Sequence, residues 1–135
     1  MNPETLHRLR LLATDTEIPV KISGSCMSPL IEDQATLMVH SRSRYWPGDI
    51  ITFLDRQGRL TTHRLLGIFP RNGTRYCLTR PDNHPHPDAA IAASQVLGRV
   101  VGGECRAEAI RIPWRARLLA MKHFAAAVLR HLLHR

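Results

Sequence analysis

The chain of 135 residues has very little lysine. Only Lys21 and Lys122 occur, and the other seventeen basic residues are arginines, so the formal net charge of +8 comes mainly from guanidinium groups. Chemistry that needs a lysine side chain between residues 22 and 121 is therefore excluded. The positive charge suits nucleic acid, a membrane surface or an acidic peptide, and it does not choose among them.

Aromatic residues and long apolar runs are also scarce. Only 5% of the residues are aromatic, and no motif that reads nucleic acid occurs, so we do not expect a nucleic-acid partner. No apolar run approaches the roughly 18 residues of a membrane span. His7, Arg8 and Arg10 interrupt the only leucine-rich stretch near the start, so we expect no secretory signal peptide there.

The cysteines are few, odd in number and widely spaced: Cys26, Cys77 and Cys105. This pattern is typical of neither a zinc ribbon nor a disulfide framework, and it favours a cytoplasmic protein with reduced thiols. Cys77 lies in an apolar run and is interpreted as a buried packing residue. His84 and His86 alternate in the proline-rich loop 81–88, which we interpret as solvated rather than metal-binding, so no metal or cofactor is expected.

The remaining pattern predicts a mostly β protein with an antiparallel sheet. A short helix is expected over 3–13, and Asn72-Gly73 predicts a tight hairpin because both residues tolerate positive φ. Because no helix intervenes between the strand-like runs, residues 1–112 are predicted to form one β domain. The predicted strands are 18–22, 35–39, 50–54, 60–69, 75–79, 96–101 and 109–112.

A basic amphipathic helix is predicted over 113–135, with Pro113 at its first position. Its apolar residues recur at helical spacing: Leu118, Met121, Ala125, Val128, Leu129 and Leu132. Such a helix packs on its own domain, pairs with a second copy in a homodimer, or lies on an anionic membrane. Packing is favoured, because the alanines at 125–127 supply little area for membrane insertion.

The most specific local string is SGSCMSP at residues 23–29, directly after the strand-like run IPVKI. It resembles the nucleophile motif G-x-S-M-x-P of the superfamily that joins type I signal peptidases to self-cleaving SOS-type repressors. Gly24, Met27 and Pro29 match that motif, and Cys26 stands at the serine position.

Four later strings extend the resemblance in order, so that it covers about residues 18–102. They resemble the strands and the aspartate segment of the archaeal and endoplasmic-reticulum signal peptidases: WPGDIITF at 46–53, THRLLGI at 62–68, TRPDNHPHPD at 79–88 and QVLGRVV at 95–101. The resemblance implies a signal-peptidase-like antiparallel β fold. It also fits the missing lysine, because this branch uses histidine as the base.

The resemblance implies a catalytic triad with a cysteine nucleophile. Cys26 would attack, His63 would act as general base and then acid, and Asp88 would orient His63, with Asp82 supporting the site or exchanging that role. A thiol suits this base, since a neighbouring imidazolium stabilises the thiolate. The residues expected to bind substrate are Gly24, Ser25, Met27, Pro29 and Thr62.

The sequence thus predicts an endopeptidase that cleaves a peptide or leader, most simply from a soluble precursor. Two alternatives stay open. One is a catalytically silent module of the same fold that binds peptides or dimerises. The other is a signal peptidase held at a membrane surface by residues 113–135.

Overall fold

The computed structural model describes residues 1–133 and confirms a mostly β, antiparallel architecture with a helix near each end. The two α-helices are α1 (Pro3–Asp15) and α2 (Trp114–Leu133). The seven strands are β1 (Ile18–Lys21), β2 (Thr36–His40), β3 (Ile50–Leu54), β4 (Leu60–Arg71), β5 (Thr74–Arg80), β6 (Ile91–Ala92) and β7 (Val96–Gly103). One sheet holds all seven strands, in the order β1-β2-β7-β3-β4-β5-β6.

The central strand β3 is covered on both faces. Ile50 and Leu54 belong to one apolar core, whereas Ile51 and Phe53 belong to a second, as the alternation of side chains in a strand requires. The run is therefore almost continuously apolar. Its one polar residue, Thr52, is fully buried and satisfies its hydroxyl by a 2.7 Å hydrogen bond to the hydroxyl of Thr62 on β4.

The predicted hairpin at Asn72-Gly73 is confirmed. β4 and β5 pair up to Arg71 opposite Thr74, which leaves a loop of only these two residues. Asn72 has φ 50° and Gly73 has φ 77°. Two consecutive positive φ values match the twist of the flanking strands, and this is why asparagine and glycine are favoured here.

The N-terminal helix α1 forms as expected and runs two residues further than predicted. It begins after Asn2, whose side-chain oxygen accepts the backbone N–H of Thr5 at 2.8 Å. Leu6 and Ala13 are buried against the first core, so one side of α1 packs on the sheet.

Cys77 is also buried, as predicted.

The strand predicted over 109–112 is wrong. Residues Ala107–Ala109 form a 3-10 turn, and the N–H groups of Ile110 and Arg111 both donate to the carbonyl of Ala107. These local bonds, together with the Arg99 guanidinium on the carbonyl of Ile110, engage several backbone groups of this segment without a sheet partner. The short strand β6 was not predicted, because two residues carry no alternation signal.

The C-terminal helix α2 packs on β4, but through a different face from the apolar one. Ala120 is buried, and the ring of Phe124 lies over Gly67, where a Cβ atom would approach it to 2.5 Å. Arg117 donates to the buried carboxylate of Asp49 at 3.1 Å. α2 begins one residue after Pro113, and the last two predicted residues, 134–135, lie outside the described part of the chain. Within residues 1–133, neither helix has the length and apolar character needed to cross a membrane.

Candidate active site

A cleft of about 690 Å³ opens on the sheet and gathers three of the four residues predicted to be catalytic. It is lined by the chain that leaves β1, by the β3–β4 hairpin and by the residues before β6. Cys26, His63 and Asp88 all line it. Three segments far apart in sequence therefore contribute one member of the expected triad each to the same cavity.

Cys26 is carried on an exposed turn that glycine makes possible. Gly24 has φ +99°, a left-handed conformation that is strained for residues with a side chain. Its N–H donates to the carboxylate of Asp33 at 2.7 Å. That backbone hydrogen bond is the largest cause that holds the pKa of Asp33 below its usual value. Cys26 is exposed, whereas the next residue, Met27, is only 2% exposed and anchors the turn in the core.

The backbone N–H of Cys26 is available as a hydrogen-bond donor. Among residues 1–133, the N–H of Cys26 has no hydrogen-bond acceptor, although Gly24 and Ser28 on either side donate theirs to Asp33 and Ser25. An unengaged backbone N–H of this kind can stabilise negative charge on an oxygen atom that lies against it.

His63 is held by a chain of short hydrogen bonds. Its Nδ1 lies 2.6 Å from Oδ2 of Asp88, and the hydroxyl of Thr79 donates to the same oxygen at 2.7 Å. The imidazole is largely buried, and its ring meets that of Phe53 edge-on at 6.0 Å. An Nδ1–carboxylate bond fixes the ring so that Nε2 is the nitrogen left for chemistry.

Asp82 does not contact His63. Its two carboxylate oxygens pair with Nε and one terminal nitrogen of Arg64, at 2.8 and 2.7 Å. Its backbone N–H faces the sulfur of Met27 at 3.3 Å, and the following residue, Asn83, binds the Cys26 turn through its backbone and amide N–H groups. Of the two roles foreseen for Asp82, its contacts match the support of the site.

The β3–β4 hairpin forms one wall of the cleft, and hydrogen bonds to Asp55 hold its turn. The carboxylate of Asp55 accepts three hydrogen bonds: from the N–H groups of Gln57 and Arg59 and from the hydroxyl of Thr61. Burial alone raises the pKa of Asp55, but these hydrogen bonds and the charge of Arg59 outweigh it and lower the pKa. The turn of the hairpin is therefore held together by hydrogen bonds to the ionised carboxylate of Asp55.

The five residues expected to bind substrate divide into two groups. Gly24, Met27 and Thr62 line the cleft, although the Thr62 hydroxyl already bonds to Thr52. Ser25 and Pro29 do not line it. Ser25 instead offers its carbonyl to Ser28 and Asn83, so it shapes the turn rather than the cavity.

Sequence reasoning missed several residues of this site. The sequence indicates only a strand at Thr79. Its hydrogen bond to Asp88 forms because the loop after β5 folds back against that strand. Lys21, with Arg56 and Arg59, lines the cleft and is exposed. Segment 22–121 contains no lysine, but the residue directly before it, Lys21, lies on the cleft wall.

His84 and His86 lie together on the exposed loop, with ring centroids 6.0 Å apart. The N–H of His86 donates to Nδ1 of His84 at 3.4 Å. In the part of the chain that the structure describes, no three His, Cys, Asp or Glu side chains are grouped so as to hold a metal ion.

Comparison with known proteins does not assign the chain to a family. No protein-family model matches it, and no curated protein does so either.

Proposed function

We propose that the protein is a cysteine endopeptidase of the signal-peptidase-like superfamily, with Cys26, His63 and Asp88 as its triad. The observation that carries the proposal is the 2.6 Å bond between His63 Nδ1 and Asp88, in the same cleft as the exposed Cys26. A nucleophile, a base and a group that orients the base are the three roles of a triad that carries out acyl transfer.

The first half of the reaction forms a thioester. Nε2 of His63 takes the thiol proton, and the Cys26 sulfur attacks the carbonyl carbon of the peptide bond. The tetrahedral oxyanion accepts a hydrogen bond from the free N–H of Cys26, and such a donor contributes about 3–4 kcal/mol. The intermediate collapses when His63 returns the proton to the leaving nitrogen, which releases the amine product.

The second half hydrolyses the thioester. His63 takes a proton from water, the hydroxide attacks the acyl carbon, and the proton returns to the Cys26 sulfur as the acid product leaves. Asp88 keeps the imidazole in the right orientation through both halves. Thr79 occupies a further lone pair of that carboxylate and so limits its rotation.

An extended peptide is the proposed substrate, and removal of a leader from a soluble precursor in the cytoplasm is the simplest role. The chain leaving β1 lines the cleft, and among residues 1–133 β1 pairs only with β2, so its other edge is open. A peptide strand can add to such an edge by main-chain hydrogen bonds. Side-chain pockets along the cleft then select the sequence.

The test is cleavage of a proteome-derived peptide library, with the products identified by mass spectrometry. Cys26→Ala should lower the cleavage rate at least about 10³-fold, because the nucleophile is lost. Cys105→Ala is the matched control and should leave the rate unchanged, since Cys105 lies outside the cleft. Cleavage by Cys26→Ala at the parental rate would refute the proposal.

The second function left open is a peptide-binding module without turnover, and the exposure of Cys26 allows a direct comparison. If His63 activates the thiol, His63→Ala should slow iodoacetamide alkylation of Cys26 at pH 7. Equal alkylation rates in both proteins, with peptide bound but not cut, would favour the binding module.

A further inference from the structure

Helix α2 turns most of its large apolar side chains away from the rest of the protein. Positions 114, 118, 121, 125, 128 and 132 follow one another in steps of four and three, so they form one stripe along the helix. The stripe is far from buried: Trp114 is 75% exposed, Leu118 53%, Met121 51%, Val128 41% and Leu132 56%. Leu129 lies beside it and is 57% exposed.

This exposure follows from how α2 packs. The face that meets the sheet is built from Ala116, Ala120 and Phe124, and it uses Gly67 to approach closely. Arg117 fixes the first turn through Asp49 and the carbonyl of Pro47. The helix is therefore attached through two alanines, Phe124 and Arg117, while an apolar stripe several turns long faces outward. Contiguous apolar surface of that kind marks an interaction site.

The charges of α2 are all of one sign. Residues 114–133 contain four Lys or Arg side chains and no Asp or Glu. Arg117 is paired with Asp49, which leaves Arg115, Lys122 and Arg130 exposed. On a helical projection, Lys122 and Arg115 follow the edge of the apolar stripe.

We infer that this face of α2 binds the surface of a lipid bilayer that contains anionic lipids, with the helix lying in the interface. Apolar side chains would enter the acyl boundary while the flanking cations meet lipid phosphates and carboxylates. A second copy of α2 complements this surface less well, because it brings its own cations against these and offers no carboxylate. The lack of a membrane-crossing helix in residues 1–133 agrees with a surface position.

The inference uses only α2 and goes beyond the proposed peptidase chemistry. Loss of Cys26 leaves the bilayer-binding face unchanged, and loss of that face leaves the triad unchanged. The two proposals can therefore fail separately.

Flotation of the full-length protein with vesicles provides the test. We expect it to float with phosphatidylcholine vesicles that contain phosphatidylserine and to stay at the bottom with phosphatidylcholine alone. Leu118→Glu combined with Leu129→Glu should reduce the floating fraction at least tenfold. The matched control is Leu11→Glu on α1, where the leucine is 58% exposed, and it should float like the parent.

Trp114 gives a direct measure of insertion. With Trp46→Phe, it is the only tryptophan, and its emission should shift to shorter wavelength when anionic vesicles are added. Three results would overturn the inference. These are no flotation at low salt, equal flotation with both vesicle types, and a dimer in sedimentation without vesicles that Leu118→Glu with Leu129→Glu dissociates.

Discussion

The backbone N–H of Asn83 donates to the carbonyl oxygen of Cys26 at 2.9 Å. This bond ties the loop that carries the two aspartates to the turn that carries the thiol, across 57 positions of sequence. The adjacent Asp82 is in turn clamped by Arg64, the neighbour of His63 on β4. Cys26 and His63 are thus connected through these hydrogen bonds as well as through the cleft that both line.

Asp82→Asn should lower both stability and activity. The change keeps the shape but leaves the Arg64 guanidinium, whose side chain is 11% exposed, without its counter-charge. We expect the free energy of unfolding to fall by about 1–3 kcal/mol. Because Asp82 positions the site without touching the reacting atoms, kcat should fall while the pH profile of kcat keeps its shape.

Urea unfolding and steady-state cleavage measure these two effects. Arg8→Ala is the control, since its pair with Glu4 is 76% and 74% exposed, and such surface pairs contribute about 0–1 kcal/mol. A pH profile altered by Asp82→Asn would contradict a purely positioning role.

Asp88→Asn should reduce kcat far more than it affects folding. An amide still fills the space but removes the charged acceptor that orients His63. The expected loss in kcat is about 10²–10⁴-fold, with KM little changed. Thr79→Val removes only the second hydrogen bond to Asp88, so its effect on kcat should be smaller. A larger loss in Thr79→Val than in Asp88→Asn would contradict this order.

Cys77 should make the protein lose stability in alkaline solution. Burial raises the pKa of this thiol from its ordinary value of 9.0 to about 11. Between those pH values the unfolded chain releases a proton that the folded protein retains. The stabilisation present below pH 9 is therefore lost as the pH rises, by up to about 1.4 kcal/mol per unit.

The measurement is urea unfolding at several pH values between 8 and 11. Cys77→Ala lowers stability through the cavity it creates, but its curve should be flatter over the same range. Parallel curves for the two proteins would show that Cys77 does not titrate in this way.

Gly67→Ala should loosen α2. The added Cβ would lie 2.5 Å from the Phe124 ring, so the ring or the helix must shift, at a cost of about 1–3 kcal/mol. Gly102→Ala is the control, because its Cβ would meet Met38 at an ordinary 3.6 Å. Combining Gly67→Ala with Phe124→Ala should cost less than the sum of the two, and strict additivity would rule out the predicted contact.

Local signals in the sequence were sufficient for much of the fold. Asn72-Gly73 specifies its hairpin by backbone conformation alone, and the apolar run of β3 specifies a strand. The strand predicted at 109–112 failed because Ile110 and Ile112 alternate like a strand while the N–H groups of residues 109–111 donate within local turns. The alternation of apolar residues does not show which donors bind the backbone carbonyl groups.

The site was less predictable than the fold. The motif with Cys26 and the spacing of Asp82 and Asp88 pointed to the loops that line or support the cleft, but pairing across the sheet decides which carboxylate meets His63. Thr79 could not be foreseen, because its role depends on the chain folding back after β5. The orientation of α2 was also hidden, since the sequence shows an apolar stripe but not which side of a helix the sheet will cover.

The scarcity of lysine has a practical consequence. Lys21 lines the cleft and Lys122 borders the apolar stripe of α2, and the only other amine is that of Met1. One acylating reagent therefore labels two surfaces that peptide mass mapping can read separately. A bound peptide should shield Lys21 and a bilayer should shield Lys122, so the chain carries its own footprinting probes.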